Sequence, residues 1–204
     1  MKSIIFNVDM MMAWLEGRKT QTRRLIVPQP EPCGNNLDLW AWRRPTVFMR
    51  NFEIGELKRQ LPAHAPYRPG DTVYIRETWG SLLADHPRCK DGRKPMFGDR
   101  IVYRADYQWS RGRTGGFVWR PSIHMPEWAS RSHALIESVR VERARETTEE
   151  DAIAEGIEPS IVGRGLDYLR YRQGFQTFWE SLYPGSWIRN DWVWVYELKE
   201  VWRA

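Results

Sequence analysis

The chain has 204 residues, enough for one well-sized domain and short for two. Thirty-one Lys and Arg against 26 Asp and Glu leave a net charge of +5, which admits a nucleic-acid partner without requiring one. Only two cysteines, Cys33 and Cys89, and four histidines without ligand spacing exclude a disulfide framework and a thiolate zinc site, so no metal, no cofactor and a reducing cytoplasm are expected.

Ser3 to Val8 reads as a first strand, followed by a short helix from Met10 to Glu16 that Asp9 can cap and Gly17 can stop. The next stretch, Gly17-Arg18-Lys19-Thr20-Gln21-Thr22-Arg23-Arg24, packs four cations and two hydroxyls together with no acid. Thr20 and Thr22 share one side if it is extended, whereas Lys19 and Thr22 meet if it turns helically. From Pro28 to Pro69 prolines punctuate a segment containing Trp40, Trp42 and Phe48, which reads as a long excursion with a short strand and a lid-like loop. Pro69-Gly70 then turns the chain into a strand over Thr72 to Glu77, with Val73 and Ile75 on one face.

Asp85 to Arg100 reads as loop, Ile101 to Arg104 as strand, and Ser110 to Gly116 as a Gly/Arg-rich turn. Two prolines keep Trp119 to Arg131 from being a regular helix or a central strand, so this segment is either a ligand wall or a plug whose Trp residues pack at the end of a barrel. A long strand runs from His133 to Ala144 with Val139 and Val141 inward and Ser138, Arg140 and Glu142 outward. Thr147 or Thr148 next caps a helix whose first turn holds Glu149, Glu150 and Asp151 and which Gly156 stops. Glu155 stands out, because an acid in the last turn opposes the helix dipole. Phe175, Phe178, Trp179 and Leu182 mark the buried stripe of a helix from about Leu166 to Pro184, and Trp192 to Leu198 is a strand apolar on both faces. No run approaches the roughly 18 apolar residues of a membrane span and the start lacks a signal-peptide pattern, so no membrane contact is expected.

Two features suggest chemistry. A Lys crowded by Arg18, Arg23 and Arg24 should lose its proton more easily, and a neutral Lys can serve as base toward a nearby Thr hydroxyl. The same residues would also make an ordinary phosphate clamp or a solvated basic face.

In this order, the basic stretch, Pro69-Gly70-Asp71 with Tyr74-Ile75-Arg76-Glu77-Thr78-Trp79, Trp119-Arg120-Pro121-Ser122 with Met125-Pro126 and Trp128-Ala129-Ser130-Arg131, Thr148 through Gly156, and Trp192-Val193-Trp194-Val195-Tyr196 resemble the ASCH family of the PUA-like superfamily, in its larger bacterial and phage-type branch. The resemblance implies an α+β fold: a single domain over 1–204, built as a small PUA-like β-barrel flanked by short helices, with residues 28–69 as a long irregular insertion. It also implies hydrolysis of the amide of N4-acetylcytidine or a similar modified cytidine by Lys19, Thr22 and Glu155. Thr22 would be nucleophile, Lys19 its base, and Glu155 the group that orients Lys19 or handles the leaving-group proton. Arg18, Thr20, Arg23, Arg24, Arg76, Glu77, Trp79, Trp119, Ser122 and Arg131 are the candidates to bind the nucleoside or single-stranded RNA, with Arg23, Arg76 or a backbone N–H on the oxyanion and Trp79 or Trp119 stacked on the base; Trp79 also reads as core. The chain is about twice as long as the compact amidohydrolases of the family, which leaves a non-catalytic RNA-binding module and a single-strand ribonuclease as alternatives, and the insertion as a possible surface for a protein partner.

Overall fold

The computed structural model describes residues 1–34, 36–81, 101–107, 118–161 and 169–201. The loop expected over 85–100, the turn over 110–116 and the helix start near Leu166 lie outside them. The chain divides into two compact units, one of Met1–Gly17, Thr72–Leu135 and Lys199–Ala204, the other of Arg18–Asp71 and Ile136–Leu198. No described helix is long and apolar enough to cross a membrane.

In the first unit, β1 (Lys2–Ile5) lies parallel to β6 (Thr72–Arg76), and β6 runs antiparallel to the first three residues of β10 (His133–Arg143). Helix α1 (Val8–Leu15) begins two residues before its expected start. The reason is Asn7, whose Oδ1 accepts from Met10 N at 2.8 Å and satisfies a free amide, while Asp9 sits in the first turn where its charge suits the dipole. Gly17 has φ +73, the left-handed stop expected of it. A small sheet of order β8-β7-β9 joins Ile101–Tyr103, Trp79–Ser81 and Val118–Arg120. Beyond it Pro121 and Pro126 each precede a single 3-10 turn, Ser122–His124 and Glu127–Ala129, so the segment is irregular for the expected reason.

In the second unit the sheet order is β10-β13-β2, with β2 (Gln21–Leu25) at the edge and β13 (Trp192–Val201) beside it, while β11 (Ser160–Ile161) and β12 (Leu169–Arg170) pair separately. The 28–69 insertion departs from the irregular excursion expected. It forms a three-stranded sheet, β3 (Glu31–Cys33), β4 (Asn36–Arg44) and β5 (Val47–Glu53), then helix α2 (Ile54–Gln60) and a 3-10 turn over Leu61–His64. Its prolines fall where strands and helices tolerate them. Pro32 lies in the edge strand β3, Pro45 between β4 and β5, and Pro62 in the first turn of the 3-10 helix. The strand orders are all linear, so the fold is α+β and its described residues close no barrel.

Helix α3 (Glu149–Ala154) is capped by Thr148, and helices α4 (Tyr171–Leu182) and α5 (Ser186–Arg189) follow. From the expected stripe, Phe175 and Trp179 pack with Ala152, Val193 and Val195 in the core between α4, α3 and β13, while Leu182 at the helix end is exposed. Phe175 also lies beneath the Arg23 guanidinium, 5.6 Å from its ring centroid. Phe175→Ala therefore removes both core volume and the floor under an ion pair. It should cost about 3–5 kcal/mol, read as a lower urea midpoint at unchanged m-value.

Candidate functional site

The site starts at the two ends of α3. At its N-terminus Asp151 N donates to Thr148 Oγ1 and Thr148 N to an Asp151 carboxylate oxygen, both at 3.1 Å, so Asp151 is fixed by its own cap. At the C-terminus Gly156 turns left-handed at φ +76, which leaves the carbonyls of the last turn facing the chain that leaves Gly17. Thr20 N donates to Ala154 O at 2.8 Å, and Lys19 Nζ to Glu155 O at 2.9 Å. Arg18 Nη1 reaches Gly156 O at 3.2 Å, while its other end pairs with Glu158 at the surface. These cations sit at the negative end of the dipole, and they explain how an acid is tolerated there.

Lys19 and Glu155 are both buried, 1% and 2% exposed. Lys19 Nζ donates to Glu155 Oε2 at 2.7 Å, to Glu155 O at 2.9 Å and to Gln21 O at 2.7 Å. Lys19 Nζ thus sits among acceptors that suit the donors of an ammonium. Burial nevertheless pulls Lys19 below the usual lysine range; Glu155 opposes that shift, and Arg24 and Arg23 add to it.

Glu155 Oε1, the other carboxylate oxygen, is buried without a hydrogen bond and lies 3.7 Å from Arg23 Nη1. Arg23 is itself buried. Nη1 donates to Gln21 Oε1, Nη2 contacts Glu142 Oε2 and Asp151 Oδ2 at 2.9 Å each, and Nε has no hydrogen-bond partner among the described residues. Arg140 extends the network to Glu142, Asp151 and Glu197 at 2.6, 3.0 and 2.8 Å. Burial raises the Asp151 pKa, yet the Thr148 amide, Arg23, Gln21 and Arg140 together hold it below the ordinary carboxylate value.

Thr22 faces the other way. The chain is extended at Gln21–Leu25, and the register Gln21↔Glu197, Thr22↔Tyr196, Arg23↔Val195 sends Thr22 to the side of Tyr196. Its hydroxyl is fully buried and accepts from Arg24 Nη1 at 2.9 Å. The structure thus brings Lys19 and Glu155 together and pairs Thr22 with Arg24. Thr20 is exposed, and its backbone ties β2 to α3 and to Leu198.

The remaining expected residues belong to the first unit. Arg76 Nε donates to Ser122 O at 2.9 Å. Arg131 grips buried Glu77 with two nitrogens at 2.8 and 3.0 Å, binds Asp106 at 2.8 Å, and lies 4.1 Å over the Tyr103 ring. Desolvation raises Glu77 above its usual value despite Arg131, and pushes Tyr103 up to about 12. These residues hold one another. Trp79, considered for base stacking, is core: it is buried against Met125 and Ala129 and edge-on to Trp128 at 5.8 Å, with Arg120 over its ring at 5.2 Å. Trp119 is half-buried between Tyr107 and Arg104. Sequence reasoning missed Gln21, Glu142, Asp151 and Arg140 as the surroundings of Arg23. The signal available was Arg140 and Glu142 alternating outward on one long strand.

Two predictions follow from the charges. Glu155→Gln leaves a buried ammonium without its counter-ion and Lys19→Met a buried carboxylate; each should destabilise by about 3–5 kcal/mol, and the double variant should regain most of it in denaturant titrations. A depressed Asp151 pKa means that the folded state binds fewer protons than the unfolded state near the unfolded value of about 3.9. Its contribution is present above that pH and lost as pH falls through the folded value. Asp151→Asn should therefore flatten the acid limb of the stability profile below about pH 4 and leave its neutral slope unchanged.

Compared with protein-family models, with curated proteins and with solved structures, the chain has no match.

Proposed function

We propose that this protein hydrolyses the amide of an N4-acylated cytidine, with Thr22 as nucleophile and the Lys19–Glu155 pair as its proton-transfer machinery, in a PUA-like setting. The observation that carries this reading is the buried 2.7 Å Lys19–Glu155 contact at a helix end where an acid does nothing for the helix. Proton transfer across it converts the ion pair into a neutral amine and a carboxylic acid, the form that burial favours. In this reading Thr22 Oγ1 exchanges its Arg24 contact for one to Lys19 when substrate binds, and as it attacks the acyl carbonyl neutral Lys19 takes its proton. Glu155 gives its proton to the departing N4, which leaves as the free amine of cytidine while Thr22 carries the acyl group as an ester. Glu155, now a carboxylate, takes one proton from the water that cleaves the ester, the carboxylic acid leaves, Lys19 returns the hydroxyl proton to Thr22, and the proton on Glu155 passes back to Lys19.

The alternative of a phosphate clamp at the same stretch is weaker. Lys19 and Arg23 are buried and ion-paired, Arg24 is engaged with Thr22 and the Arg23 carbonyl, and Arg18 is paired with Glu158. A clamp or a ribonuclease needs cations turned toward a phosphate.

The purified protein and its Thr22→Ala, Lys19→Met and Glu155→Gln variants are to be incubated with N4-acetylcytidine and with a short single-stranded RNA, and both products followed by chromatography. Deacetylation by the parent that falls at least about 100-fold in Thr22→Ala and Lys19→Met supports the reading. Intact nucleoside with cleaved RNA, or turnover indifferent to Thr22→Ala, overturns it.

A further inference from the structure

The insertion in the second unit carries a polar and aromatic arrangement that amide hydrolysis does not use. β4 and β5 pair with Trp42↔Met49 and Arg43↔Phe48 in register. Trp42 and Met49 are buried, so alternation turns Arg43 and Phe48 to the opposite face; both are exposed, and so is Arg50. Arg50 and Asn51, the latter with φ +61, together oppose Ala41 at the register shift, so Arg50 belongs to the bulge that follows this pair. Phe48 is 64% exposed, and the Arg43 guanidinium lies 6.0 Å from its ring centroid. Both border a cleft of about 370 Å³ whose wall also includes Pro28, Gln29, Glu31 and Ala41. Among the described residues neither Arg43 nor Arg50 is in an ion pair, in contrast to Lys19 and Arg23.

We propose that this face binds single-stranded nucleic acid, with one base stacked on Phe48 and seated in the cleft and the flanking phosphates held by Arg43 and Arg50. An exposed aromatic ring between two unpaired guanidiniums offers a π-face and two anion contacts at strand spacing, which a base and its phosphates fill together. A duplex hides its base faces in the stack. Glu31 is acceptor-only when ionised, so it matches the two donors of an exocyclic amine better than the single N3–H of uracil or thymine, which lies between two carbonyl oxygens. The site does not depend on the Thr22 chemistry.

The test is fluorescence anisotropy of the full chain with labelled oligo(C) RNA, oligo(U) RNA, oligo(C) DNA and a duplex. Oligo(C) is expected to bind more tightly than oligo(U) and the duplex. Phe48→Ala should weaken it about tenfold while Phe48→Tyr retains it. Arg43→Gln and Arg50→Gln should each reduce the slope of affinity against salt by about 0.7. Glu31→Gln should narrow the preference for C over U, and Thr22→Ala should bind like the parent. RNA and DNA bound alike mark a general single-strand site, whereas RNA alone assigns the ligand to RNA. Affinity unchanged in Phe48→Ala, a duplex bound as tightly as a single strand, or no binding of either strand overturns the proposal.

Discussion

A lysine and a glutamate removed from water 2.7 Å apart are the constraint around which the second unit is arranged. Each charge is expensive to bury, and their attraction offsets that cost only when the remaining protons and lone pairs are satisfied. Lys19 meets the condition through the carbonyls of Gln21 and Glu155. The chain leaving Gly17, the edge strand β2 and the C-terminus of α3 must therefore meet at one point. The amide of Thr20 on Ala154 O, and the Thr20 carbonyl accepting from Leu198, fix that meeting in the backbone as well. An apolar pair of similar volume would stabilise the junction as well or better. In the proposed hydrolysis its ionic character supplies the proton that moves.

Glu155 does not satisfy all of its own lone pairs, and this is the second consequence of the geometry. One carboxylate oxygen is committed to Lys19; the other faces Arg23 at a distance too long for a hydrogen bond. Arg23 is held back by Glu142, Asp151 and Gln21, which come from two further elements and from β2 itself. A buried acceptor left in this state is costly in a purely structural network and useful in a proton relay.

Much of this was legible in the sequence where the cause was local. Asp/Glu at the start of α3, Gly156 at its end and the misplaced Glu155 are one-dimensional signals, and so is the crowding of Lys19. The Phe175 and Trp179 stripe followed from period alone. What was not legible depended on pairing partners distant in sequence. The face taken by Thr22 was set only when β2 paired with β13, and the companions of Arg23 lie about 120 residues away along the chain. The insertion misled for another reason. Prolines counted without their positions signal irregular chain, yet an edge strand, a hairpin turn and a helix start each accept one without loss.

Cations in this chain consequently have two fates that composition cannot separate. In the basic stretch, Lys19 and Arg23 are drawn inward because carboxylates from α3 and β10 wait within reach, so their charge is neutralised and screened from any phosphate. On β5 Phe48 and Arg50 are exposed, hairpin register puts Arg43 against the Phe48 ring, and among the described residues neither arginine is in an ion pair. The densest run of positive charge is therefore the part least able to hold an anion. The two exposed arginines near Phe48 are in no ion pair among the described residues, so the proposed proton chemistry and the proposed anion recognition rest on different side chains of the same unit.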